Sequence, residues 1–268
     1  MKNFAKKPAL TAILILAGCT ANHQPSNFAN EVNKTESGPQ GVFMAISRSV
    51  GVEIVSEGST SSGGGIWLGN GEVLSATHIF LNAKSPSDPI FVISDGNRMK
   101  ATVVFHGNPP NNDLILLKID PTLVPASLAS VASPQICSDL EAIGAELYVT
   151  APNHRIYSTY ASPVGAVWHK GKTLSQSTTA LLSHGVSGSP VYDTKSNCFA
   201  GIVSRMQFDS VSVADSKADA CKMATLQMAN LGTGSTCAVE TQTIFMTSDV
   251  IQDFLKGARE YVRNHEET

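Results

Sequence analysis

Ser187 sits in Gly185-Val186-Ser187-Gly188, where small residues crowd a hydroxyl into a tight turn. A serine hydroxyl is a poor nucleophile at neutral pH, so the tetrapeptide carries chemistry only if a base elsewhere can take its proton and later return it. His78 and Asp113 have the right types for that work. His78 follows the apolar strand-like run Glu72 to Ser75, and Asp113 stands at the mouth of the apolar run Leu114 to Leu117. An imidazole can act as the base while a carboxylate holds its other ring nitrogen, fixes the tautomer and stabilises the imidazolium that forms. A tetrahedral oxyanion would also need preorganised donors. The backbone N–H groups of Gly185 and Ser187 would supply them, with glycine leaving that backbone unrestricted.

Such groups must be aimed by rigid elements. Short Val/Ile-rich runs alternate with Gly, Asn and Ser, and helical periodicity is scarce, which is the pattern of an all-β barrel or sandwich. Ser62 to Phe80 reads as two strands joined by Asn70-Gly71, a strong hairpin signal. One helix is expected at about 248–263, where Val250, Ile251, Phe254, Leu255, Ala258, Tyr261 and Val262 share a face. The formal net charge of −3 gives no basic excess for nucleic acid, and no repeat or heptad pattern is present.

The amino terminus has a different character. Lys2, Lys6 and Lys7 precede an apolar run, Ala9 to Ala17, about half of the roughly 20 residues that span a bilayer, so it reads as an export signal rather than an anchor. The run ends in Leu16-Ala17-Gly18-Cys19, which resembles the lipobox of bacterial lipoproteins. This implies a signal peptide over 1–18, acylation of Cys19 and attachment to a membrane. Thr20, in place of the Asp common in inner-membrane lipoproteins, points to the outer membrane. Residues 19–41 are polar and read as a tether, leaving 42–268 as the folded domain. In an exported chain the remaining cysteines, Cys137, Cys198, Cys221 and Cys237, suggest disulfides, with three pairings open. Their spacing fits no metal pattern, and no metal or cofactor is expected.

Three motifs together resemble the trypsin-like serine peptidases of the chymotrypsin fold. Val73-Leu74-Ser75-Ala76-Thr77-His78 is similar to the family's VLTAAH. Asn112 to Ile119, NDLILLKI, is similar to DIALLKL, and His184 to Pro190, HGVSGSP, is similar to GDSGGP. The resemblance runs over roughly Val42 to Leu255. It implies two six-stranded antiparallel β-barrels with the active site between them and a helix at the C-terminus. It also implies that Cys137 pairs with Cys198, leaving Cys221 and Cys237 to close a loop inside an insertion at about 207–240. By motif position Leu181 lies at the base of the primary pocket, and Gly201 to Met206 is the strand that pairs with substrate, bringing Ser204, Arg205 and Met206 to it. No Asp stands at the pocket base. Leu181 and Met206 suggest an apolar pocket, with Arg205 and His184 available to acidic groups nearby.

Two positions depart from the family pattern. Ser189 replaces a glycine, as in glutamyl endopeptidases, and Val186 replaces the usual Asp or Asn. Val186 cannot form the ion pair that orders the oxyanion hole of trypsin-like zymogens, so apolar packing must hold the loop. The reading is an exported, lipid-anchored serine endopeptidase that acts on proteins or peptides. A non-catalytic binding protein on the same fold is the alternative, which loss of a triad residue would have favoured. An esterase of the nucleophile-elbow type would order the residues Ser, Asp, His, whereas here His comes first.

Overall fold

A computed structural model describes residues 40–266 except 82, 109–111, 139–144, 170–171, 179–181, 183–184 and 213–235. Cys19, Leu181, His184 and Cys221 lie outside the described residues. Strands β1 (Ser49–Ser56), β2 (Ser59–Gly69), β3 (Glu72–Ser75), β4 (Ile90–Ser94), β5 (Asn97–His106) and β6 (Ile115–Ile119) close one barrel in the order β1-β2-β3-β6-β5-β4. Strands β7 (Glu146–Ala151), β8 (Arg155–His169), β9 (Lys172–Thr178), β10 (Pro190–Asp193), β11 (Phe199–Ser212) and β12 (Thr236–Thr247) close a second. Its order, β7-β8-β9-β12-β11-β10, repeats that of the first. The inferred architecture of two six-stranded antiparallel barrels and a C-terminal helix is therefore the observed one.

Strict alternation builds the first barrel. Along β1 every second residue is buried, and Val50, Val52 and Ile54 meet Val73, Val92, Met99, Leu117 and Ile119 inside. Asn70 and Gly71 turn β2 into β3 with φ of 54° and 82°, the left-handed pair that a two-residue hairpin requires.

The C-terminal helix, Ser248–Glu266, packs Val250, Ile251, Phe254, Leu255 and Ala258 into the seam between the barrels. Its Phe254 ring lies 5.3 Å from that of Phe105 on β5. Tyr261, expected on the same apolar face, is 44% exposed and only flanks Phe105, because the last turns of the helix are exposed.

A second helix, Gln40–Arg48, was not expected, and it begins inside the segment read as tether. Only Val42, Ala45 and Ile46 mark its inner face, too few to stand out as a period. Arg48 ends it, and its Nε donates to Ala132 O at 2.8 Å while Nη2 donates to Ser133 O at 3.4 Å, fastening the helix to the segment between the barrels.

Both ends of the insertion are arms of one hairpin, since β11 and β12 pair as far out as Ser212 and Thr236. Cys237 lies on β12. Cys137 and Cys198 form a disulfide with Cα atoms 5.0 Å apart. It ties the segment before β7 to the β10–β11 turn, where Phe199 N also donates to Gln135 O at 2.7 Å. With a sequence separation of 61, loop entropy assigns this link about 4 kcal/mol.

Candidate active site

His78 follows a strand, as its place after Glu72 to Ser75 suggests. β3 stops at Ser75, and His78 lies in the 3-10 turn Thr77–Phe80 that follows. Two bonds anchor that turn to the entrance of β6: Thr77 Oγ1 donates to Leu114 O at 2.6 Å and Thr77 N to Asp113 O at 3.4 Å. Asp113, 3% exposed, in turn receives the backbone N–H of His78 on Oδ1 at 2.8 Å and the ring Nδ1–H on Oδ2 at 2.7 Å. A buried carboxylate needs such donors, because without them the cost of leaving water goes uncompensated. The arrangement holds the proton on Nδ1 and leaves Nε2 as the basic nitrogen.

Ser204 completes this cluster in a way the sequence did not suggest. It lies on the strand expected to pair with substrate, and its side chain is fully buried and donates its hydroxyl to Asp113 Oδ2 at 2.6 Å. Only its backbone remains part of β11. Arg205, the next residue, is exposed, and Met206 pairs with Thr243 of β12.

Ser187 comes from the second barrel, on the loop that enters β10, and glycines let that loop settle on the first barrel. Gly64 N donates to Ser187 O at 2.6 Å, and a Cβ on Gly63 would stand 2.5 Å from the same oxygen. Gly188 has φ +81°, and a Cβ there would meet Ser75 Oγ at 2.5 Å. The second barrel holds the loop from behind, with Gly188 N donating to Val203 O at 2.8 Å and Val203 N to Ser189 O at 2.9 Å. Val186 is buried against Ala151, Leu182 and Val203, an apolar seat in place of an ion pair.

Gly185 has φ +89°, a conformation that favours glycine. Among the described residues, the N–H groups of Gly185 and Ser187 have no acceptor, and neither Ser187 Oγ nor His78 Nε2 has a hydrogen-bond partner. The structure thus joins His78, Asp113 and Ser204 in one bonded group and seats Ser187 on glycines beside the strand that leads to it. Ser75 links the two sides: its hydroxyl donates to Gly64 O at 2.6 Å, three residues before His78. Gly63, Gly64 and Ser75 are not among the candidate site residues that the sequence marks. The three consecutive glycines 63–65 inside a strand were the available sign, since an interior glycine often marks close backbone approach.

Two barrels of one connectivity, with a His–Asp pair from one and a glycine-bound serine from the other at their junction, define the chymotrypsin-like class. The sequence matches the trypsin-like peptidase domain over residues 62–202, and the chain belongs to that family. No curated protein matched the sequence. Among solved structures, the active form of the Rv3671c protease of M. tuberculosis is similar with TM-score 0.54 and 15% identity, covering 81% of this chain and 83% of that one. The serine endoprotease of Yersinia pestis gives TM-score 0.54 and 15% identity over 82% of this chain and 67% of that one. The HtrA-type protease AlgW, solved with a tripeptide, gives 0.53 and 16% over 80% and 62%. At such identities the likeness speaks to fold.

Proposed function

We propose that this protein is a serine endopeptidase with Ser187 as nucleophile, His78 as general base and Asp113 orienting the imidazole. The observation that carries the reading is the Nδ1–H bond from His78 to a buried carboxylate, because it aims a basic Nε2 away from Asp113. Ser187 Oγ attacks the substrate carbonyl as its proton passes to Nε2. The oxygen that becomes negative is received by the free N–H groups of Gly185 and Ser187. His78 then protonates the leaving amine, and water hydrolyses the acyl-serine by the same route in reverse. Among the described residues neither Ser187 Oγ nor His78 Nε2 has a hydrogen-bond partner, and catalytic hydrogen bonds of this kind often tighten only in the Michaelis complex.

In this account the apolar seat of Val186 keeps the oxyanion loop assembled, so no proteolytic cut is required. The specificity residues Leu181, His184, Arg205 and Met206 are proposed from their motif positions alone, and the Cys221–Cys237 pairing likewise. The location is proposed from sequence as well: export, acylation at Cys19 and the outer membrane, with a polar tether leading to the domain.

A fluorophosphonate reagent tests the nucleophile. It should label the wild type and not Ser187→Ala, and equal labelling of both would refute the assignment. For location, Cys19→Ser should move the protein out of the membrane fraction. A wild-type chain shown by mass spectrometry to lack acyl groups would refute that part.

A further inference from the structure

Beside Gly185 and Val186 a cleft of about 480 Å³ opens between the barrels. Its first-barrel wall carries Glu53 of β1 and Asp95 of the β4–β5 turn, and its second-barrel wall carries His154 of the β7–β8 turn and Arg155, the first residue of β8. Gly51 and Gly63, which have no side chain, also line it.

The charges in this cleft are not equivalent. Glu53 Oε2 accepts from Arg98 Nε at 3.3 Å, and that guanidinium also lies 3.5 Å above the Phe91 ring. Asp95 Oδ1 is 3.4 Å from His154 Nε2, joining the tips of two turns across the cleft. Both acids therefore have a partner already. Arg155 does not: it is exposed, and among the described residues its guanidinium pairs with nothing. A cation left unpaired in a concave site favours a ligand carboxylate, and the planar guanidinium matches that group in two-point geometry.

We infer that this cleft receives the part of the substrate that leaves, and that Arg155 selects an acidic side chain there. The inference rests on the endopeptidase reading above. In that reading the acyl side of the peptide lies along β11, and no β11 residue lines the cleft. The scissile carbonyl must point at Gly185 N, which does line it. The chain beyond the cleaved bond therefore continues past Gly185 into this space.

The test is a library of amidated peptides digested by wild type, Arg155→Gln and Arg155→Glu, with cut sites mapped by mass spectrometry. Amidation removes terminal carboxylates, so any acid selected is a side chain. Wild type should enrich Asp and Glu over Asn and Gln about two- to fivefold at one of the first three positions after the cut, the size of an exposed ion pair, and less at high salt. Arg155→Gln should remove the preference, and Arg155→Glu should replace it with Lys and Arg at the same position. If all three proteins cut with the same preferences, or if wild type prefers Lys there because Glu53 and Asp95 govern the cleft, the role of Arg155 is refuted while the peptidase reading stands. If wild type cuts no peptide and takes no fluorophosphonate, both fall together. Thermal melting of each variant shows whether it is folded.

Discussion

The two barrels share one strand order and differ in what fills them. The first is packed with large apolar side chains, Trp67, Ile54, Met99, Leu117 and Ile119 among them. The second mixes small apolar residues, Val149, Val191, Ala200 and Val203, with Leu147 and Phe245, and it buries a polar run, Ser175, Gln176, Ser177 and Thr178 on β9, with Thr243 beside it on β12. Apolar packing is non-directional and works wherever volume is filled, whereas buried polar groups stabilise only when their partners are in place. Topology alone therefore does not decide how a barrel is held. The first barrel carries His78 and Asp113. The second depends on hydrogen bonds and on the Cys137–Cys198 link, and it carries the loop with Ser187.

The sharpest way to break this division is to remove one group from each side of the site. His78→Ala in the first barrel and Ser187→Ala in the second should each lower kcat/KM by about 10⁴-fold or more, and the double variant should lose little further, because the groups act as a unit. Losses that multiplied would mean that the two barrels contribute independently. The melting temperature should stay near wild type in both single variants.

Stability should separate the barrels next. Leu117→Ala empties a fully buried position of the first barrel and should cost about 2–5 kcal/mol in urea unfolding. Replacing Cys137 and Cys198 together with Ala should cost about 4 kcal/mol, within a usual range of about 2–5. A disulfide loss near zero would show that the second barrel holds itself through its hydrogen bonds.

Ser204→Ala tests a side chain that crosses from the second barrel to Asp113. A hydrogen bond to a charged group is worth about 1.5–3 kcal/mol, so kcat/KM should fall about 10- to 150-fold with little change in KM. An unchanged rate would mean that the bonds from His78 alone position Asp113.

The smallest effect should come from Tyr148, whose ring stacks on Tyr192 at 5.3 Å and whose buried hydroxyl has no partner among the described residues. Burial pushes its phenol well above the ordinary tyrosine value, so it stays protonated at any working pH. Tyr148→Phe should change stability by less than about 1 kcal/mol, toward greater stability, as measured by urea midpoint. A clear loss would reveal that the Arg48 guanidinium nearby uses that hydroxyl.

Much of this molecule is legible in local chemistry. The Asn70-Gly71 turn, the alternation along β1 and the apolar face of the C-terminal helix each follow from preferences that act over a few residues. The order of His78, Asp113 and Ser187 carries the family, because side-chain types in three motifs restrict the chemistry before any contact is known. Tertiary structure decided the rest. Ser204 reaches Asp113 across 91 positions of sequence, and Arg48 reaches Ala132 across 84. The glycines at 63 and 64 make room for a loop from the other barrel. The nine-residue helix at Gln40 persists only because both barrels and a second helix give it a surface to cover. The Arg155 cleft exists only where the two barrels face each other. Local preferences choose the elements, but contacts between distant residues choose which side chains meet, and those meetings position the candidate site.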